Sequence, residues 1–107
     1  MVEHFRRTDP RYERRVDVQI KTDEREFAAW SRNLSLGGMF IETDELVPEQ
    51  TTVQVRFMVP TQPEPIEVSA EVRWLVPAKS GETGGIGVRF HGLRARDVWA
   101  LNRYFQT

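Results

Sequence analysis

Arg11 and Arg15 stand four residues apart in a charged opening segment, Arg11-Tyr12-Glu13-Arg14-Arg15, and Asn33-Leu34-Ser35-Leu36-Gly37-Gly38 follows after an apolar alternation. These residue types suit an anion that carries planar bases. Each guanidinium offers a rigid planar fork of donors that matches a phosphate or a guanine edge. Asn33 and Ser35 add short polar side chains on a turn loosened by glycine. In that reading Asn33 accepts from a base edge, Ser35 donates to a phosphate and Gly38 lets the backbone pass close to the ligand. Both clusters also have plain uses, the arginines as a solvated basic arm and Asn33 and Ser35 as turn residues bonded to their own backbone. Placement favours a site, because Arg15 is anchored just before the first strand while Arg11 lies on a segment free to fold back. Arg7-Thr8-Asp9-Pro10-Arg11 repeats the four-residue spacing. Closeness to Val16, where the alternation begins, favours Arg11 and Arg15, with Arg7 and Arg14 as auxiliaries.

Fewer chemistries suit the rest of the chain. The 107 residues make one domain with a single modest core. A formal net charge of -1 argues against binding long nucleic acid, DNA or RNA, by bulk electrostatics. Positive charge is instead local, in Arg6, Arg7, Arg11, Arg14 and Arg15, while Glu42, Asp44, Glu45 and Glu49 form an acidic edge. The absence of cysteine excludes a disulfide framework and thiolate chemistry. The first residues lack the apolar core of a secretion signal, so the cytoplasm is the expected compartment. Without that signal, the glycosylation sequon at Asn33-Leu34-Ser35 carries no weight. No apolar run approaches the roughly 20 residues of a membrane span, and no membrane insertion is expected. His4 and His91 have no partners at metal-ligand spacing, and no nucleophile motif or phosphate-binding glycine loop precedes a helix. The chain is expected to be neither an enzyme nor a holder of metal or cofactor.

The elements that must position these groups read mainly as strands. Residues 1–15 form a polar arm carrying the arginines, expected to be flexible, and residues 16–107 form the folded part. Val16, Val18 and Ile20 alternate with polar residues, the mark of a half-buried strand, and Asp23-Glu24-Arg25 turns the chain. Phe27 to Ser31, Met39 to Thr43, Thr52 to Val59, Ile66 to Val76 and Gly84 to Phe90 follow as strands, with a proline-rich break from Pro60 to Pro65. In the Gly84 to Phe90 strand, glycine replaces side chains where backbones approach closely. Trp74 falls in phase with Val72, either in the core or stacked on a base at the surface. Six short antiparallel strands suggest a closed barrel, which removes exposed edges. From Arg94, Val98, Leu101 and Phe105 fall at helical spacing, and Asp97 is placed to cap or favour the helix start. Trp99 and Tyr104 lie off that stripe, as extra packing or as a partner surface.

Arg11 to Arg15 followed by Asn33 to Gly38 resembles the two signatures of PilZ domains, RxxxR and [D/N]xSxxG. Glu71-Val72-Arg73-Trp74, then Gly85-Ile86-Gly87-Val88-Arg89-Phe90 and a short terminal helix, is similar to the later half of that family. The resemblance runs from Arg11 to Phe105. It implies a six-stranded antiparallel PilZ-type β-barrel with a C-terminal helix, and it implies cyclic di-GMP, a bacterial second messenger, as ligand. Arg11 and Arg15 would take phosphate and guanine groups. Asn33, Ser35 and Gly38 would lie on the ligand's other side, with Arg7, Arg14 and Trp74 as further candidates. In the family, binding swings the arm over the barrel face, a rearrangement passed to a fused domain or a separate protein partner. Motility, exopolysaccharide synthesis and transcription are compatible outputs. Two alternatives stand beside this reading. One is a PilZ-like interaction adaptor that binds no nucleotide and uses Trp99, Tyr104 and the acidic edge as its contact surface. The other is a small barrel for single-stranded nucleic acid.

Overall fold

The computed structural model describes residues 10–107. Among these described residues six strands, β1 (Asp17–Lys21), β2 (Glu26–Leu34), β3 (Gly38–Glu42), β4 (Thr52–Phe57), β5 (Ile66–Val76) and β6 (Gly85–Phe90), precede one helix, α1 (Ala95–Phe105). The strands close into a barrel in the order β1-β2-β3-β6-β5-β4, every pairing antiparallel. The mainly β fold with a C-terminal helix is therefore as the alternation predicts.

Alternation builds the barrel directly. Val18 and Ile20 of β1, Val53, Val55 and Phe57 of β4, and Ile66, Val68, Ala70 and Val72 of β5 all point inward and are buried. Removing such side chains from water contributes about 1.5–3 kcal/mol each, which fixes the register, because a one-residue slip would turn the apolar set outward. Helix α1 adds Ala100 and Leu101 to the same core. It is tied down by the Thr61 hydroxyl, which donates to the Ala100 carbonyl at 2.6 Å.

Asp97 does more than favour a helix start. Arg94 occupies the N-cap without a side-chain cap bond, and Asp97 sits in the first turn, 1% exposed. Its carboxylate accepts from Gln62 Nε2 at 3.0 Å and from Arg94 Nε at 3.3 Å, with Arg96 Nε at 3.6 Å. A buried carboxylate needs such partners, and these join α1 to the loop between β4 and β5. The negative charge also complements the helix N-terminus.

Two β-bulges break the phase that the sequence suggests. In β2 the register shifts between Ser31 and Asn33, and in β5 between Val72 and Trp74. Each inserts one extra residue, Arg32 and Arg73, so the residue after it points to the other face. Asn33 and Trp74 would both point inward by strict alternation; the bulges turn both outward. Trp74 is thus no core residue, and Leu75 takes its place facing Ile86. Strand β2 also runs three residues beyond Ser31, so Asn33 lies in a strand and the turn itself is Ser35 to Gly37.

Candidate functional site

The bulges assemble one row across the outside of the barrel. Asn33 of β2 pairs with Phe40 of β3, Phe40 with Gly87 of β6, and Gly87 with Trp74 of β5. Gly87 leaves room for the indole. A Cβ there would lie 2.1 Å from Trp74 Cε2, so any side chain would push the ring off the sheet. The neighbour that demands glycine here is therefore an aromatic ring rather than a second backbone.

Arg11, Arg32, Asn33, Phe40, Trp74 and Val76 line a hollow of about 460 Å³ over this row. Arg11 Nη1 donates to Asn33 Oδ1 at 2.8 Å, and the guanidinium carbon stands 5.7 Å from the Trp74 ring centre. A guanidinium has no acceptor, so the amide must turn its oxygen to Arg11, which leaves its NH₂ free to donate elsewhere. Arg32 lies over Phe40 at 4.8 Å. The hollow thus combines two cations, an amide donor and two aromatic faces, which suits a ligand having both negative charge and flat rings.

Arg15 belongs to a neighbouring groove of about 750 Å³, together with Trp30, Asp17, Glu42 and Asp44 among others. Its guanidinium stacks on Trp30 at 3.9 Å. Glu42 stands where the two cavities meet. Its Oε2 accepts from Arg32 Nε at 2.8 Å, and its Oε1 is 4.0 Å from Arg15 Nη1.

Arg14 points the other way, toward α1. Its Nη2 donates to the Thr107 carbonyl at 3.2 Å, and its guanidinium lies 5.4 Å from the Tyr104 ring. Tyr12, between the arginines, exchanges backbone hydrogen bonds of 2.9 Å with Leu34 and stacks on Phe105 at 4.1 Å. Ser31, fully buried, fastens the next stretch: its hydroxyl donates to the Arg14 carbonyl at 2.6 Å and accepts from Val16 N–H at 3.0 Å. Arg7 lies outside the described residues.

Ser35 and Gly38 sit at the turn. The Ser35 hydroxyl, 3% exposed, accepts from the N–H groups of Gly37 and Gly38 at 3.1 Å each. It donates to the Gly38 carbonyl at 3.3 Å. Gly38 packs against β6, where a Cβ would lie 2.1 Å from the Val88 carbonyl oxygen. Of the sequence candidates, Arg11, Asn33 and Trp74 thus meet in one hollow and Arg15 borders it across Glu42. Ser35 and Gly38 shape the end of β2, and Arg14 faces the helix. Arg32 and Phe40 were not singled out by sequence; a lone arginine and an apolar strand residue carry no signal until the bulge places them together.

Among the described residues no cluster of His, Cys, Asp and Glu could hold a metal ion. Nor is any described helix long and apolar enough to cross a membrane.

The sequence matches the family model described as PilZ domain over residues 5–106. No curated protein matches it. Among solved structures, the Bacillus subtilis inhibitor of motility MotI/DgrA superposes with a TM-score of 0.76 at 20% identity, over 92% of this chain and 51% of that one. The chain thus spans about half of that protein's length. The PilZ domain with c-di-GMP of YcgR from Escherichia coli gives 0.70 at 17% identity, covering 94% of this chain and 92% of that one. The PilZ domain of CeSA from a cellulose synthesizing bacterium gives 0.64 at 15% identity, covering 91% and 95%. At these identities the likenesses concern the fold.

Proposed function

We propose, because the chain belongs to the PilZ domain family, that it binds cyclic di-GMP in the hollow between Arg11, Asn33 and Trp74 and signals by moving its arginine arm. The observation that carries this is the convergence of the Arg11 guanidinium on an amide and an indole face, the latter two brought to one outer row by two separate bulges. Trp74 offers a stacking face for a guanine. Arg11 and the Asn33 amide read base and phosphate acceptors. Arg15, stacked on Trp30, takes a guanine edge at the border of the neighbouring groove. Ser35 and Gly38 hold the turn that sets the end of β2. Each charge-assisted hydrogen bond contributes roughly 1.5–3 kcal/mol, so three or four of them, less the cost of ordering the arm, reach micromolar affinity. The E. coli YcgR domain with c-di-GMP supports the choice of ligand through shared fold. The cytoplasm follows as the compartment, a protein partner as the receiver, and motility or exopolysaccharide control as the class of output.

The test is isothermal titration with cyclic di-GMP, run on the wild type and on Arg11→Ala, Arg15→Ala and Arg7→Ala, with GTP as control. Saturable binding that is lost in the first two variants supports the reading and settles which arginines serve. No heat from a folded protein overturns it and favours the adaptor reading, for which Trp99, 64% exposed on α1, is the contact to examine.

A further inference from the structure

We infer that Arg32, the bulged residue of β2, is a third anion-binding arginine of this site, and that Glu42 is the carboxylate it releases when ligand phosphate arrives. The inference rests on the reading that the smaller hollow takes cyclic di-GMP. Charge balance between the two cavities is the first ground. The larger groove sets Arg15 and Arg56 against Asp17, Glu42 and Asp44, so a phosphate there faces like charge. The smaller hollow is lined by Arg11 and Arg32 and by no carboxylate among the described residues, and Glu42 meets it only through its bond to Arg32. A phosphate is therefore better accommodated in the smaller hollow, where Arg32 is the second cation.

Geometry is the second ground. Arg32 already points outward by the alternation of β2, and the bulge turns Asn33 to the same face beside it. Its guanidinium already lies over Phe40, which fixes the plane of the fork at the floor of the cavity. Glu42 accepts from Arg32 through Oε2 alone, while Oε1 faces Arg15. Arg32 can leave Glu42 without stranding it, because 18% of the carboxylate side chain is exposed and water can take the place of Arg32. Glu42 thus holds the position beside Arg32 that a phosphate would take. It keeps Arg32 ordered and competes with the incoming phosphate.

The experiment titrates cyclic di-GMP into the wild type, Glu42→Gln, Arg32→Gln, Arg32→Lys and the Glu42→Gln/Arg32→Gln pair, each checked by thermal unfolding. Inorganic pyrophosphate, followed through the Arg32 Nε–H resonance, is the second probe. Glu42→Gln is expected to bind the dinucleotide about three- to tenfold more tightly, and Arg32→Gln about tenfold more weakly. Arg32→Lys, which keeps charge but loses the planar fork, falls between. The gain from Glu42→Gln should vanish when Arg32 is also replaced. Unchanged or weaker binding by Glu42→Gln, or a gain that survives Arg32→Gln, overturns the exchange. If the dinucleotide fails on the wild type while pyrophosphate shifts Arg32, more strongly in Glu42→Gln, the ligand reading fails and the anion site stands. If neither probe acts, the inference is overturned with it.

Discussion

Arg11 and Asn33 form a pair in which each fixes what the other can do. The guanidinium takes the only acceptor of the amide, and the amide aims the guanidinium beside Trp74 at 5.7 Å. Charge is the smaller part of this arrangement, because exposed ion contacts contribute little while planar stacking and bidentate donation depend on shape. Arg11→Lys keeps the charge and discards the shape. It is expected to weaken cyclic di-GMP binding by about 1–2 kcal/mol, close to the loss from Arg11→Ala, since a lysine replaces neither the fork nor the stack. Titration of the two variants side by side checks this, and wild-type affinity in the lysine variant would reduce Arg11 to a point charge. Arg11, Asn33 and Trp74 were legible in the sequence as candidates because their types suit the chemistry at recognisable spacing. Arg32 was not. In a chain with 15 Lys and Arg, one more arginine on an alternating strand reads as solvated surface until its neighbours are known.

At the scale of the element, the site is made by defects in regular strands. Period two located β1, β4 and β5, which bury alternate residues, whereas β3 and β6, buried on nearly every residue, were found as short apolar or glycine-spaced runs. The same rule put Trp74 in phase with Val72 and left core and surface both open, since a bulge adds one residue without altering the local run of residue types. The only sequence trace was on the partner strand. In β6, Gly85 and Gly87 alternate with buried Ile86 and Val88, which marks an outer face stripped of side chains. Gly87→Ala tests the arrangement. Its Cβ would meet the Trp74 ring at 2.1 Å, so the ring must leave the sheet or the strands must part. The fold is expected to lose about 1–3 kcal/mol, the usual cost of overpacking. Cyclic di-GMP affinity should fall with it as the stacking face is lost. Thermal unfolding reads the first effect, and tryptophan fluorescence compared against Trp74→Phe reads the second. An unchanged spectrum together with unchanged affinity would mean that the indole does not serve the ligand.

Across the whole molecule, the arginine segment is gripped from two sides. Its Arg11 end meets the hollow, while Tyr12 and Arg14 between the motif arginines hold the last turn of α1 through Phe105, Tyr104 and the Thr107 carbonyl. The stretch therefore has ligand-facing residues at its two ends, Arg11 and Arg15, and helix-facing residues between them. If the ligand draws Arg11 and Arg15 together over the barrel face, Tyr12 must turn with them, and its stack on Phe105 at 4.1 Å is what opposes the turn. Linkage then gives the sign of the effect, because a contact made only in the free protein subtracts its own free energy from binding. Phe105→Ala is accordingly expected to lower stability by about 1–2 kcal/mol while raising cyclic di-GMP affinity severalfold, given what an aromatic pair contributes beyond its burial. Hydrogen exchange supplies the matching structural readout: saturating ligand should quicken exchange at residues 101–105 while slowing it in β2. The barrel itself is stabilised by mass action, by about 2.7 kcal/mol at a hundredfold excess over Kd. Weaker binding in Phe105→Ala, with exchange in α1 slowed by ligand, would show that the stack persists in the bound state. The arm would then carry the signal toward the helix as a rigid lever, and the output surface would be the outer face of α1 around Trp99, where Arg103 lies 4.9 Å from the indole.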